Sequence, residues 1–234
     1  MKLMNAAIAL AALAMSQSNP AIAPVSRSGE DWWAQRHAAC VAATEKGGFD
    51  VAFLGDSITQ GWEGDGRGYW EKKIAPLKPA NFGFSGDRTE HVLWRLANGE
   101  LTAAKPKLIV IMIGTNNVGH GSSNAAQAAE GVRAIVQKLR TDTPASKILL
   151  LATFPRGQKP NDLLRLNVAS MVDQYKQAAD NKNVFLLDLG PKFISQDGTL
   201  QTAIMPDYLH LSPAGYQIWG DNMLPEIERI LKLP

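Results

Sequence analysis

The sequence lacks the features that mark several common classes of protein. It has one cysteine in 234 residues, so neither an internal disulfide nor a cluster of thiolate metal ligands can form within one chain. Its 24 Lys and Arg residues nearly balance 22 Asp and Glu residues, which leaves no basic field for a nucleic acid backbone. We therefore expect no nucleic acid partner and a fold stabilised by packing alone.

Apolar runs long enough to span a bilayer are also missing. The apolar run over residues 8–15 is shorter than the roughly 20 residues that a membrane helix needs. It lies between a positively charged start and a small-residue site, as in a secretory signal peptide. We predict a signal peptide over residues 1–23 and one domain over 24–234. Because Pro24 disfavours cleavage just before it, a cut near residues 16–18 is the alternative.

This leader predicts that the protein is exported, to the periplasm or to the medium, with no membrane span in its mature form. An uncleaved membrane anchor and an amphipathic N-terminal tail are the other interpretations of the same segment.

Beyond the leader, short apolar runs alternate with helical patterns. Five runs are too short for buried helices and too apolar for half-exposed strands, which favours parallel strands buried on both faces; they cover residues 51–54, 80–84, 108–113, 148–152 and 184–187. Helical patterns cover residues 30–45, 90–98, 125–140, 163–181 and 213–231. The alternation predicts a three-layer α/β/α sandwich. Ligands bind such sheets beyond the carboxyl ends of the strands, so site residues should directly follow strands.

A serine follows the first predicted strand, in the segment Gly55-Asp56-Ser57. This turn would expose the Ser57 hydroxyl as a nucleophile, although capping of the next helix is the alternative role. The segment lacks the second glycine of the Gly-x-Ser-x-Gly elbow of α/β-hydrolases, which indicates another serine-enzyme fold. Cys40 is the other candidate nucleophile, but its alanine-rich helical surroundings favour a buried, inert thiol.

A serine nucleophile needs a positioned base, and the chain has four histidines. His37 and His91 fall within predicted helices, and His120 in a glycine-rich loop is the best competing base. His210 is favoured because Asp207, three residues earlier on a turn, can accept the Nδ1 proton and leave Nε2 for the serine. Activity should then fall in acid, since a free imidazole titrates near about pH 6.5.

Attack on an ester carbonyl creates an oxyanion that needs several aimed hydrogen-bond donors. Gly86 directly follows the second predicted strand and can bring its backbone N–H close because it has no side chain. Asn116 follows the third strand and offers a side-chain amide. With the Ser57 N–H, they would form a three-donor hole, although turn formation is the alternative role for both residues.

Four short motifs occur in this order along the chain: Gly55-Asp56-Ser57, Ser85-Gly86-Asp87, Gly114-Thr115-Asn116-Asn117 and Asp207-x-x-His210. They resemble the four blocks of the SGNH (GDSL-like) hydrolase family, over about residues 49–231. Within that family, three further segments resemble the catalytic subunits of intracellular platelet-activating-factor acetylhydrolase and their bacterial relatives; these segments are Asn81-Phe82-Gly83, residues 88–101 and Pro155-Arg156-Gly157.

The resemblance implies a flavodoxin-like parallel sheet of five strands in the order 2-1-3-4-5, and a reaction that uses no metal or organic cofactor. It implies Ser57 as nucleophile, His210 as base and Asp207 as the residue that orients the base. It assigns the oxyanion hole to Ser57, Gly86 and Asn116. Since relatives include dimers, a homodimer is left open. The acetylhydrolase relatives are cytosolic, so the export signal favours an environmental or cell-envelope ester.

The leading hypothesis is a carboxylic ester hydrolase that cleaves short acyl esters through an acyl-serine intermediate. Small-molecule or carbohydrate esters are the expected partners, with O-acetylated carbohydrates, phospholipids and acyl thioesters left open as natural substrates. The aromatic residues Trp62, Tyr69 and Trp70 either stack on a sugar or pack over a small core. A non-catalytic carbohydrate-binding protein on the same fold is the alternative from another class.

Overall fold

The computed structural model describes residues 19–232 and contains a five-stranded, all-parallel sheet. The strands lie in the order β2-β1-β3-β4-β5, which confirms the predicted sheet. Their bounds are β1 Val51–Gly55, β2 Pro79–Gly83, β3 Leu108–Met112, β4 Lys147–Leu151 and β5 Val184–Leu187. The order reverses between β1 and β3, which places their carboxyl ends at the usual ligand site of such sheets.

Helices cover both faces of the sheet. Their bounds are α1 Asp31–Lys46, α2 Ser57–Gln60, α3 Arg67–Tyr69, α4 Thr89–Ala97, α5 Thr115–Gly119, α6 Ala125–Asp142, α7 Leu163–Tyr175, α8 Gly190–Phe193 and α9 Pro213–Leu231. Side chains of α1, α4, α6 and α7 form one apolar core on one face, and those of α2, α8 and α9 form a second core on the other face. The expected three-layer α/β/α sandwich is therefore confirmed.

The strand sequences explain why both cores form. In β1, Ala52 and Leu54 belong to the core with α1, whereas Val51 and Phe53 belong to the core with α9. Successive side chains of a strand point to opposite faces, so a run of apolar residues supplies both cores at once. The whole of β1 is buried, as a central parallel strand requires.

The predicted helix over residues 163–181 ends earlier than expected. The α-helix stops at Tyr175, and one 3-10 turn, Lys176–Ala178, follows it. The Asp180 carboxylate then accepts backbone N–H groups of Lys182, Asn183 and Val184 and so fixes the turn into β5. These bonds lower the pKa of Asp180 to about 2. A side chain that captures three backbone donors competes with the helix, which the apolar spacing alone does not reveal.

Residues 19–30 form a segment that we call the N-terminal arm. Its Asn19 Nδ2 donates to the Gln127 carbonyl of α6 at 3.1 Å, and Ala21 is completely buried. The Thr89 hydroxyl of α4 donates to the Ala21 carbonyl at 2.8 Å. Most of the predicted leader, residues 1–18, lies outside the described residues, but its last five residues are described, and among them Asn19 and Ala21 contact the domain.

Across residues 19–232, no helix joins sufficient length to sufficient apolar character to cross a membrane.

Candidate active site

Ser57 is the first residue of α2, directly after β1 and its tight exit turn. Asp56 caps the helix, since its carboxylate accepts the Ile58 N–H at 3.0 Å. Gly55 leaves no room for a side chain, because a Cβ there would lie 2.2 Å from the Thr59 Oγ1 and 2.5 Å from the Met112 carbonyl oxygen. The cap is therefore supplied by Asp56, and the Ser57 hydroxyl is left for another contact.

That contact is to His210, on the loop before α9. The Ser57 Oγ lies 2.9 Å from the His210 Nε2, and the His210 Nδ1 lies 2.6 Å from the Asp207 Oδ2. The other Asp207 oxygen accepts the backbone N–H of His210 at 2.7 Å. Tyr208 takes a left-handed φ of 59° to make this turn. The structure thus brings the three predicted catalytic residues into one continuous hydrogen-bonded chain.

The environment keeps Asp207 ionised. Partial burial opposes the charged form, but hydrogen bonds from the His210 side chain and backbone outweigh it, so the pKa of Asp207 lies below its ordinary value. An ionised carboxylate accepts the Nδ1 proton and holds the ring with Nε2 towards the serine. Asp207 is therefore ionised throughout the neutral range, in the form that accepts the His210 Nδ1 hydrogen bond.

None of the other three histidines is hydrogen-bonded to Ser57. The His37 Nδ1 lies 3.1 Å from Glu100, with its ring stacked on Trp33, and the His91 Nδ1 accepts the Arg88 N–H at 3.0 Å. Burial lowers the pKa of His91 to about 4. His120 caps α5, and the hydrogen bond of Ser57 goes to His210 instead. Among the four, His210 is the one placed as a base.

The competing candidate nucleophile, Cys40, is a buried residue of α1 and belongs to the core on that face of the sheet. Burial raises its pKa to about 12, which keeps the thiol protonated at neutral pH. The interpretation of Cys40 as an inert buried thiol is confirmed.

The loop that carries Gly86 lies beside the serine. Ser57 and Ser85 line one open depression of about 440 Å³, together with Gln60, Gly61, Glu63 and Gly64. Gly86 has a left-handed φ of 74°, and its N–H donates to no acceptor among the described residues. The Asn116 Nδ2 donates to the Asp87 carbonyl at 2.9 Å, which ties this loop to α5 and leaves its second hydrogen free.

Asp87 is a buried carboxylate that binds three side-chain donors, a role that the sequence did not predict. Its carboxylate is fully buried and accepts bonds from Arg95 Nε at 2.9 Å, Trp33 Nε1 at 2.8 Å and Arg27 Nη1 at 2.9 Å. These partners lie 8 to 60 residues away in the chain, so local sequence gave no signal for them.

Asp56 is the second buried carboxyl that was missed. Burial raises its pKa to about 7, the Ile58 N–H opposes that rise, and the nearby Asp87 charge adds to it. Arg156 supplies a positive charge close by, and its Nη1 donates to the Thr115 carbonyl at 3.1 Å. The Gly157 N–H on the same loop donates to the Tyr208 carbonyl at 2.9 Å and so supports the turn that carries Asp207 and His210.

The early aromatic residues pack mainly against one another. Trp62 is 1% exposed, with its ring 4.7 Å from that of Tyr216 and 4.8 Å from that of Trp219. Tyr69 donates its hydroxyl to Asp221 at 2.7 Å. Of the two interpretations, packing over a core describes Trp62, so its indole is not a stacking surface for sugars.

Metal ligands do not gather in this part of the chain. Within residues 19–232, no three or more His, Cys, Asp or Glu side chains are grouped so that they could hold a metal ion.

A serine, histidine and aspartate in one hydrogen-bonded chain, at the carboxyl edge of a doubly wound parallel sheet, is an arrangement typical of hydrolases. Residues 53–218 match the model of the GDSL-like lipase/acylhydrolase family. The chain belongs to this family and is a hydrolase of the acylhydrolase type.

Two relatives of higher identity agree with this assignment. The chain is 40% identical over 209 residues to subunit alpha2 of platelet-activating factor acetylhydrolase IB from Rattus norvegicus, with 87% of this chain and 88% of the relative covered. It is 38% identical to subunit alpha1 from Homo sapiens, with 86% of each chain covered.

Two solved structures share the fold at lower identity. A GDSL-like lipase from Bacteroides thetaiotaomicron superposes with a TM-score of 0.67 at 19% identity, covering 85% of this chain and 97% of the other. An acetylxylan esterase from Geobacillus stearothermophilus gives a TM-score of 0.62 at 22% identity, covering 77% and 94%.

Proposed function

We propose that the protein is a serine esterase that hydrolyses short-chain carboxylic esters. The observation that carries this proposal is the continuous chain from the Ser57 Oγ through His210 to Asp207, at 2.9 and 2.6 Å. Both lengths are within hydrogen-bonding range, so proton transfer from the Ser57 Oγ to the His210 Nε2 needs no rearrangement of the side chains.

In the proposed reaction, the Ser57 Oγ forms a bond to the ester carbonyl carbon while its proton moves to the His210 Nε2. The carbonyl electron pair moves onto oxygen, where the N–H groups of Ser57 and Gly86 and the Asn116 amide stabilise the oxyanion. Collapse of this intermediate breaks the bond to the leaving alcohol, which takes the proton from Nε2. Water then attacks the acyl-serine by the same steps and releases the carboxylic acid.

The open depression beside Ser57 supports a short acyl group joined to a larger polar alcohol. Its lining includes Gln60, Glu63 and Ser85, and these side chains match a hydroxylated leaving group better than a long acyl chain. The relative at 40% identity is named an acetylhydrolase, in keeping with a short acyl group. An O-acetylated carbohydrate is therefore the second candidate in detail, ahead of phospholipids and acyl thioesters.

The assignment predicts that Ser57→Ala loses ester turnover. Removing a triad nucleophile costs on the order of 10⁴-fold or more in kcat, because no acyl intermediate can form. The measurement is hydrolysis of p-nitrophenyl esters of increasing chain length, with acetylated xylan and chitin oligomers alongside.

Labelling with a fluorophosphonate probe is the control for the non-catalytic alternative. Wild-type protein should be labelled and Ser57→Ala should not. A folded wild-type protein that resists the probe would favour a binding protein on the same fold.

For localisation, we propose that the chain is exported and that its leader is cleaved upstream of Asn19. The buried Ala21 and the bonds of Asn19 to α6 support this position, because a cut after Ala23 would remove packed residues. N-terminal sequencing of the exported protein would decide between the two positions. The homodimer stays a prediction, for which light scattering in solution is the measurement.

A further inference from the structure

The N-terminal arm reaches from the back of the domain to the loop that carries Gly86. Asn19 and Ala21 hold its start against α6 and α4. The Val25 N–H then donates to the Glu90 carbonyl at 3.1 Å. These contacts lead the chain to Arg27, whose guanidinium lies against the loop that carries Gly86.

Arg27 is hydrogen-bonded to both residues that flank Gly86. Its Nη1 donates to the Ser85 carbonyl at 2.7 Å and to the Asp87 carboxylate at 2.9 Å. Its Nε and Nη2 donate to the two Glu30 oxygens at 2.9 and 2.8 Å, so the guanidinium is held on both sides. The group is in contact with the loop itself, since a Cβ built on Gly86 would lie 3.3 Å from the Arg27 Nη1.

Two further hydrogen bonds hold this loop. The Ser85 N–H donates to the Gln60 Oε1 at 2.7 Å, and Asn116 holds the Asp87 carbonyl at 2.9 Å. Arg27 is the residue that binds both the carbonyl before Gly86 and the side chain after it. The Ser85 carbonyl and the Gly86 N–H belong to one planar trans peptide unit and point in opposite directions, so a donor that holds the carbonyl also fixes the direction of the N–H.

From these contacts we propose that Arg27 is a positioning residue, which aims the Gly86 N–H at the oxyanion and makes the N-terminal arm part of the catalytic unit. The inference rests on the proposed ester hydrolysis. Arg27 touches no reacting atom in this role. It acts through the loop, and its loss should weaken transition-state stabilisation while leaving the Ser57–His210–Asp207 chain in place.

Loss of Arg27 should not unfold the domain. Asp87 would still be paired with Arg95 and bonded by Trp33, so its buried charge would keep two partners. The Ser85 carbonyl, in contrast, would lose its guanidinium donor. The expected defect is therefore local to the loop.

The test compares Arg27→Gln and Arg27→Lys with wild type, on p-nitrophenyl acetate. Arg27→Gln should lower kcat by about tenfold to a hundredfold, because a misdirected Gly86 N–H would stabilise the oxyanion less than a well-aligned one. KM should stay within about twofold, and the rate of fluorophosphonate labelling should fall in proportion to kcat/KM. Arg27→Lys, which keeps one charged donor, should recover part of kcat. The pH profile should keep its wild-type midpoint because His210 is untouched.

Arg133→Gln is the matched control, because Arg133 also donates from a half-buried guanidinium to a carbonyl, that of Gln174, but between α6 and α7. It should keep wild-type kinetics. Thermal melting of every variant separates a kinetic defect from loss of folded protein, and active-site titration with the probe corrects for any loss.

Three results would overturn the inference: wild-type kcat in Arg27→Gln, a defect confined to KM, or an equal defect in Arg133→Gln. Ser57→Ala, measured in the same assay, distinguishes failure of the proposed esterase function from failure of the proposed role of Arg27. If wild type and Ser57→Ala turn over equally, the proposed esterase function fails and this inference fails with it. If only Ser57→Ala is inactive while Arg27→Gln matches wild type, the esterase function stands and the role of Arg27 is refuted.

Discussion

At the scale of single residues, the site depends on pairs of groups that set each other's charge. Asp207 stays ionised because His210 donates two hydrogen bonds to it, from its ring and from its backbone. Asp56 is different, because it is buried at the start of α2 with one backbone donor. Two carboxyl groups close to one serine therefore have opposite pKa shifts, and the more exposed one, Asp207, is hydrogen-bonded to His210.

The raised pKa of Asp56, about 7, predicts how its substitution changes stability with pH. The unfolded carboxyl ionises near about 3.9, so between about pH 4 and 7 the folded state holds a proton that the unfolded state has lost. The stabilisation of the folded state by this bound proton is complete below about pH 4, and it is lost as the pH rises to about 7. The free energy of unfolding of wild type should therefore fall over this range relative to Asp56→Asn, by up to about 4 kcal/mol at about 1.4 kcal/mol per pH unit.

Urea denaturation at a series of pH values checks this. Asp65→Asn, at an exposed loop position, is the control and should run parallel to wild type. Parallel curves for wild type and Asp56→Asn would show that the burial of Asp56 has no such effect.

Residue types and spacing made Ser57, Asp207 and His210 candidates, since the chain offers four histidines and one of them follows an aspartate by three residues. The resemblance to a known family then implied their roles. Spacing could not reveal Arg27, Asp56 or Asp87. Their importance comes from burial and from contacts across as many as 60 residues of chain, which local patterns do not encode.

At the scale of helices and strands, close packing between the arm, α4 and α6 sets a limit on substitution. Gly131 of α6 faces both neighbours, and a Cβ there would lie 2.3 Å from the Thr89 Oγ1 and 2.8 Å from the Ala21 carbonyl oxygen. The carbonyl belongs to the backbone and cannot rotate away. The contact of helix and arm therefore requires glycine for space, although Gly131 sits in a regular helix.

We expect Gly131→Ala to lower the free energy of unfolding by about 1–3 kcal/mol, because forced overpacking outweighs the higher helix propensity of alanine. Gly68→Ala in α3 is the matched control, since nothing lies within 4 Å of its Cβ position, and it should be neutral or stabilising. The measurement is urea denaturation of both variants. A Gly131→Ala protein as stable as wild type would contradict the packing of the arm described above.

Element positions were predictable where apolar periodicity decides them. β5 and α9 have the predicted bounds, and α1 begins and ends one residue later than predicted. Prediction failed where polar side chains replace periodicity, as at the Asp180 turn that ends α7 early. The short helical turns between Ser57 and Leu77 were also missed, because each is too brief to show a period.

At the scale of the whole molecule, the sheet order brings together groups that are far apart in the chain. The carboxyl ends of β1, β2 and β3 present Ser57, Gly86 and Asn116, and the loop before α9 adds Asp207 and His210. Parallel strands with covering helices make this possible, since every strand leaves the sheet at the same edge. The order of the strands came from the resemblance to a known family, because alternation alone fits several doubly wound orders.

The N-terminal arm extends this picture to the first described residues. It connects α6 to the loop of Gly86, so export processing and catalysis would meet in one segment of chain. A mature protein that begins before Asn19 keeps every contact of the arm.

The central claim is that Ser57 carries the acyl group during turnover, and trapping that intermediate tests it most directly. Protein quenched in acid during hydrolysis of p-nitrophenyl acetate should yield a Ser57-containing peptide that is heavier by one acetyl group, and Ser57→Ala should yield no acetylated peptide. Acetylation at another residue, or undiminished turnover by Ser57→Ala, would contradict the account.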